Sequence, residues 1–255
     1  MKNQYFGDIN DYRKYGLIRS ILRCYEFRLL VAWMLTPNDE GSDGGFTGYL
    51  CEPDLRDYDR ELYDELQRCL ISQKNIRRVA LIEKTNLLPG ARYYSRIVPD
   101  SYDDRIKWSQ ELLSEARGSD LVFLDPDNGL EVKSKPLGRK GSSKYLYRHE
   151  ISGLWEQGKS LLIYQHFCRE KRHLFIERIR GELEKVTKDR VAAFVTRNVV
   201  FFLALQPEHR KYLDYIVADV ESKWGDQITY KRKDVSEKGT EGRPSIFQLP
   251  LLLIF

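Results

Sequence analysis

The apolar residues of this chain fall into short continuous runs separated by longer stretches with helical spacing. Leu29-Leu30-Val31-Ala32-Trp33-Met34-Leu35, Leu121-Val122-Phe123-Leu124, Ser160-Leu161-Leu162-Ile163-Tyr164, Val191–Val195 and Val199–Leu205 each read as a strand buried on both faces. Val79-Ala80-Leu81-Ile82, Tyr93–Val98 and the terminal run Phe247–Phe255 read as further strands. Between them, residues 52–75 carry Leu55, Leu62, Leu66 and Leu70 on one helical face, and Asp103–Arg117, Leu174–Val186 and Tyr212–Trp224 repeat that spacing. Near the start, Asp8 or Asp11 can cap a helix whose apolar side holds Leu17, Ile18, Ile21 and Leu22. Strands alternating with helices predict an α/β fold, a three-layer sandwich with a mostly parallel central sheet. At 255 residues one such domain accounts for 1–255, opened by a polar and aromatic segment over 1–28.

Composition narrows the partners only a little. A net charge of +4 permits an anionic partner without demanding nucleic acid. Cys24, Cys51, Cys69 and Cys168 are scattered, with no paired spacing, which predicts reduced thiols in a cytoplasmic protein and no structural zinc. No stretch reads as a signal peptide or as a membrane span.

Chemistry concentrates where strands end. The run from Leu121 stops at Asp125-Pro126-Asp127-Asn128-Gly129, which puts two carboxylates at the carboxyl end of a central strand, where open α/β sheets bind ligands. The run from Leu161 stops at Gln165-His166, on what would be the same rim, and a histidine there can hydrogen-bond or protonate a substrate. The first strand empties into a glycine-rich, acidic loop in which Asp39 and Asp43 are secondary candidates. Tyr5, Asp8 and Asp11 belong to a cluster of tyrosines, phenylalanine and cations suited to stacking on bases and gripping phosphate. A basic passage with Lys133, Arg139 and Lys144 can contact a phosphate backbone.

No GxGxxG follows the first strand and no GxSxG elbow occurs, which argues against common dinucleotide-binding and hydrolase folds. A strand followed by Asp-Pro also occurs in Rossmann-like methyltransferases, and Pro99-Asp100 with Glu131-Val132-Lys133 looks like the metal-binding pattern of a nuclease. Leu121–Gly129 and Leu161–Arg169 resemble in kind the first and second motifs of the uracil-DNA glycosylase superfamily. The combination QYFGDINDYRKYGLIR, VAWMLTPNDEGSDGG, LVFLDPDNGLEVKS, GRKGSSKYLYRHE and LLIYQHF looks like a bacterial family associated with anti-phage DNA glycosylase activity on glucosylated hydroxymethylcytosine.

That resemblance implies a Rossmann-like or uracil-DNA-glycosylase-like sheet and a cofactor-free enzyme without a metal. It also implies double-stranded phage DNA as partner and base flipping as the route to the bond. Asp125 is then the first choice for the carboxylate facing the sugar, with Asp127 as the alternative. His166, helped by Gln165 or Asn128, would hydrogen-bond the departing base. A methyltransferase-like enzyme, a metal-dependent nuclease and a non-catalytic nucleic-acid-binding module are the competing expectations.

Overall fold

The structure, a computed structural model, describes residues 1–39, 41, 44–72 and 76–233. Asp43 and the apolar run Phe247–Phe255 lie outside these residues. In chain order the elements are α1 (Ile9–Cys24), β1 (Leu29–Ala32), α2 (Pro53–Arg56), α3 (Arg60–Ser72), α4 (Ala80–Glu83), β2 (Arg92–Tyr94) and α5 (Tyr102–Glu115). They continue with β3 (Leu121–Leu124), β4 (Gly129–Leu130), β5 (Tyr145–Leu146), α6 (Arg148–Glu156), β6 (Ser160–His166) and α7 (Arg172–Thr187). The last are β7 (Val191–Val195), β8 (Val199–Ala204), α8 (Leu213–Trp224) and β9 (Thr229–Lys231).

Seven strands form one sheet in the order β2-β1-β3-β6-β8-β7-β9. The pairs β1–β2, β1–β3 and β3–β6 are parallel, whereas β8 runs antiparallel to both β6 and β7, and β9 antiparallel to β7. Five strands therefore point one way, and the expected mostly parallel sheet is present. Side chains alternate between two apolar layers because successive strand residues point to opposite faces. Leu121 and Phe123 pack with α1, α3 and α8 through Leu17, Leu66 and Val220, while Val122 and Leu124 pack with α5, α6 and α7 through Leu112, Leu154 and Ile179. These are the three layers, and burial on both faces explains the unbroken apolar runs.

Two expectations change. Val79-Ala80-Leu81-Ile82 is not a strand: Leu81 and Ile82 donate to the carbonyls of Arg78 and Val79, which winds the segment into the short helix α4. A run of four apolar residues fits either state, and here Val79 and Ile82, one turn apart, are the pair that enters the core. The strand expected over Tyr93–Val98 is confined to Arg92–Tyr94, followed by an isolated bridge from Leu35 to Ile97. The helix expected over 52–75 is divided into α2 and α3.

After β1 the chain crosses to β2 on one side, and β3 takes its place on the other. The carboxyl ends of β1 and β3 thus bound a topological switch point, the position at which an open sheet leaves a crevice.

Candidate functional site

A cavity of about 510 Å³ opens on that rim of the sheet beyond the ends of β3 and β6, lined by α1, by the turn after β3 and by the end of β6. Asp8, Asp11, Lys14, Asp125, Tyr164 and His166 are among its walls. The first turn of α1 explains the acidic side. Asp8 is the N-cap, its carboxylate accepting from the amides of Asn10 (2.8 Å) and Asp11 (3.0 Å), and the free donors of a helix start favour an anion there. Asp11, one turn on, accepts from the Gly7 amide at 2.9 Å and from the Tyr15 hydroxyl at 3.3 Å.

Lys14 binds these carboxylates to the strand. Its ammonium lies 2.7 Å from Asp11 Oδ1 and 2.7 Å from Asp125 Oδ2, and it sits over the Tyr164 ring at 5.1 Å. The side chains of Lys14, Asp11 and Asp125 are each only 2% exposed, so the three charges share a site with almost no water. Burial alone would lower the Lys14 pKa, but Asp11 and Asp125 override it and raise the group above its usual value. Lys14 is therefore a fixed cation and not a nucleophilic amine.

The carboxylates respond to the same environment. Burial, aided by the Asp11 charge, pushes Asp8 up to about 7 against the pull of its amide donors and Lys14. Burial also raises Asp125, with Lys14 and the amino terminus acting in the opposite direction. A carboxyl group poised near neutral pH in a cavity is the form an acid–base catalyst takes.

Asp127, two residues on, turns away from Lys14. It accepts from the Thr36 hydroxyl at 2.5 Å, and the Met1 amine is 2.5 Å from its Oδ1 without hydrogen-bond alignment, which makes that contact an ion pair. The same amine donates to the carbonyls of Met34 (3.2 Å) and Asp125 (2.9 Å), bridging the ends of β1 and β3. His166 closes the opposite wall, with its Nε2 3.0 Å from the Tyr164 hydroxyl.

The remaining residues singled out in the sequence divide into two groups. Tyr5, Asp8, Asp11, Asp125, Asp127, Asn128 and His166 all line the cavity. Gln165 does not: its Oε1 accepts from the Leu130 amide at 2.8 Å and its Nε2 donates to the carbonyls of Asn128 (3.0 Å) and His166 (2.9 Å). A buried amide with both N–H donors and one carbonyl lone pair committed holds the Asp125–Leu130 turn on β6 and lines no part of the cavity, so its expected role as a base contact is corrected to one of positioning. Gly129 is the counterpart, because at φ +107° any Cβ there would lie 2.2 Å from the Gln165 amide. Lys133, Arg139 and Lys144 follow the turn but line no part of the cavity, and Asp39 is exposed and paired with Lys2.

Lys14, Asn10, Phe46, Tyr164, Phe167 and Asn198 line the cavity without standing out in the sequence. Lys14 carries a signal nonetheless, since it stands three and four residues before Leu17 and Ile18 on the buried face of α1, where a charge needs a buried partner. The nuclease pattern is spent on structure: Asp100 accepts from the amides of Gly141 and Ser143, and Glu131 pairs with Arg148. Among the described residues no group of three or more His, Cys, Asp or Glu is placed to hold a metal ion, and no helix is long and apolar enough to cross a membrane.

No protein-family model matches the chain, and no curated protein does. Among solved structures it is similar to the crystal structure of human methyltransferase-like protein 13 in complex with SAH, at 12% identity and a TM-score of 0.35, over 90% of this chain and 96% of that one. So distant a likeness carries no argument about chemistry, and the site has to be read from its own geometry.

Proposed function

We propose that this chain hydrolyses the N-glycosidic bond of a modified base in DNA, and that the base is the glucosylated hydroxymethylcytosine of phage genomes implied by the sequence resemblance. The reading makes it a cofactor-free DNA glycosylase in anti-phage defence. The observation that carries it is the carboxylate cluster around Lys14, with Asp8 raised to about 7, facing a cavity of about 510 Å³.

Cleaving the bond to a base builds positive charge on the sugar and negative charge on the departing base. The carboxylates of the cluster outnumber its cations, so the cavity favours the first of these charges and repels phosphate. Asp125, held in place by Lys14, is the carboxylate that faces the sugar and orients water; Asp127, the alternative, is tied to Thr36 and the Met1 amine. Asp8, protonated through much of the neutral range, delivers a proton to the base as the bond to the sugar breaks. Water adds to the sugar carbon, and its proton passes to the carboxylates, which restores the starting state. Asn10, Asn128 and His166 supply hydrogen bonds to the base edge, and Tyr5, Phe46 and Phe167 supply flat apolar surface for an extruded base.

One observation favours a second reading. The crevice between β1 and β3 is the place where doubly wound sheets hold nucleotide-containing cofactors, which suits a methyltransferase acting on nucleic acid. Calorimetric titration with S-adenosylmethionine separates the two: binding in the micromolar range supports the methyltransferase and no heat supports the glycosylase.

The direct test incubates the protein, with EDTA, on phage DNA carrying glucosylated hydroxymethylcytosine and on unmodified DNA, and measures abasic sites and free base. Release from the modified DNA alone is expected. Asp8→Asn, which keeps the helix cap, is expected to slow it by about 10²-fold or more. Intact DNA from both substrates, or an Asp8→Asn variant as fast as the parent, overturns the proposal.

A further inference from the structure

We infer that the DNA backbone is gripped by Arg13, Arg172 and Arg197, on the His166 side of the cavity, and not by the Lys133–Lys144 passage that the sequence singles out. The inference rests on the glycosylase reading for the identity of its ligand and places a phosphodiester subsite beside the base cavity.

Three elements converge there. Asn198, in the turn between β7 and β8, donates to Asn10 of α1 at 3.5 Å, which sets that turn against the start of α1. Register places Val199 opposite His166, so the segment leaving β6 runs alongside the same turn. Arg172, at the start of α7, donates to the Arg197 carbonyl at 2.7 Å, and its guanidinium lies 4.9 Å from the centre of the Phe167 ring. Phe167, Asn10 and Asn198 all line the cavity, so the cationic surface is continuous with it.

The charges on this surface lack ion-paired carboxylates. Arg13, Arg169, Lys171, Arg172 and Arg197 form no ion pair among the described residues, whereas Arg28, Arg56, Arg148 and Arg178 each have one. Arg13 is the strongest sign. It is 8% exposed, it gives Nε and one terminal nitrogen to Gln227 Oε1 at 3.1 and 2.7 Å, and its other terminal nitrogen is buried with no hydrogen-bond partner. Burial lowers its pKa and the nearby Arg197 lowers it further, and the charges of Asp8 and Asp226 do not make up the difference. An unpaired buried guanidinium nitrogen costs free energy that a phosphate oxygen recovers.

The position also fits the cavity's electrostatics. Phosphate is repelled by the carboxylate cluster, so a nucleotide entering it presents its base inward and leaves its phosphates at the mouth, where Arg172 and Arg197 are exposed. A half-buried aromatic beside an exposed arginine, as in Phe167 under Arg172, is a pairing that can hold an unstacked strand.

The test measures binding of a fluorescently labelled unmodified DNA duplex by anisotropy across a salt titration, which requires no base release. Arg172→Gln/Arg197→Gln, both exposed changes checked by thermal melting, is expected to weaken binding about tenfold or more and to lower the salt slope by roughly 0.9 for each phosphate that is no longer neutralised. Lys133→Gln/Arg139→Gln/Lys144→Gln is expected to bind within about twofold of the parent. The inference is overturned if the first variant binds like the parent, if the second carries the loss, or if the parent binds no DNA. Base release by a parent protein whose Arg172→Gln/Arg197→Gln variant binds normally removes the subsite and leaves the glycosylase; binding through the arginines without base release does the reverse.

Discussion

Replacing Lys14 by Met tests whether the cluster is held by charge. The two side chains are of similar length, so little cavity is created, but Asp11 and Asp125 each lose a partner at 2.7 Å while remaining 2% exposed. Breaking a buried pair in this way costs about 3–5 kcal/mol, and a protein of this size loses roughly 2–4 °C of Tm for each kcal/mol, so a fall of about 6–20 °C is expected. The sign of its pH dependence follows from linkage. In the parent, the raised Lys14 pKa contributes stability that is complete below the unfolded lysine value of about 10.4 and is lost only as pH rises through the folded value, so the pair is intact from pH 5 to 8. In the variant, the stranded carboxyls have folded pKa values raised above the unfolded value of about 3.9, so stability falls as pH rises from there. The deficit relative to the parent is therefore larger at pH 8 than at pH 5. Differential scanning calorimetry at both pH values reads it. A Lys14→Met protein melting within about 2 °C of the parent at pH 8, or showing a smaller deficit there than at pH 5, refutes the argument. Adding Asp125→Asn should recover part of the loss, because one stranded charge is gone.

Asp8→Asn keeps an N-cap of equal quality but removes a group raised to about 7, so the parent should lose stability relative to this variant as pH rises from about 4 to 7, read by urea melts across that range. Gly129→Ala combines a left-handed backbone with a Cβ 2.2 Å from the Gln165 amide and should cost about 2–5 kcal/mol, measured by the same melts; a loss under about 1 kcal/mol would show that the turn relaxes freely. Arg105 and Glu150 are fully buried and bonded at 2.6 and 2.9 Å, with Arg105 also reaching the Tyr145 carbonyl at 2.8 Å. Arg105→Ala should cost about 3–5 kcal/mol in thermal melting, and Arg105→Met/Glu150→Gln should be the more stable of the two because no charge is left unpaired.

What is legible in the sequence follows from range. β3, β6, β7 and β8 show as unbroken apolar runs because both their faces are covered, and α5 and α8 show as helical spacing because one face is. The four residues from Val79 give no such purchase, being too few to display a period. Asp125, Asp127, Asn128 and His166 are visible as polar residues ending strands, and the structure gathers them around one cavity. Their partners are not visible. The contact of Lys14 with Asp125 spans 111 residues and that of Gln165 with Leu130 spans 35, and both depend on β1, β3 and β6 lying side by side. The insertion of β8 between β6 and β7 is equally non-local. It is also what sets the Arg197 turn against α1, so the arginine surface cannot be read from spacing, whereas the Lys133–Lys144 passage stands out only because its charges are close in sequence.

Helix α1 ties these features together by the direction of each side chain. Lys14, paired with Asp11 one turn earlier, reaches the end of β3, while Asn10 and Arg13, one turn apart, reach the β7–β8 turn and the Gln227 side chain. Anionic and cationic functions are thus separated by a rotation about a single helix. The separation needs Lys14, because three buried carboxylates without an internal cation would protonate or force α1 away from β3. The proposed phosphate contact needs Arg13 to stay without a carboxylate partner, because a carboxylate bonded to it would compete with the phosphate. A polar, aromatic first helix is hard to explain as a structural element, since its packing face carries charges that cost free energy to bury. It is explained if the helix divides one nucleotide between two environments, base inward to the carboxylates and phosphate outward to the arginines.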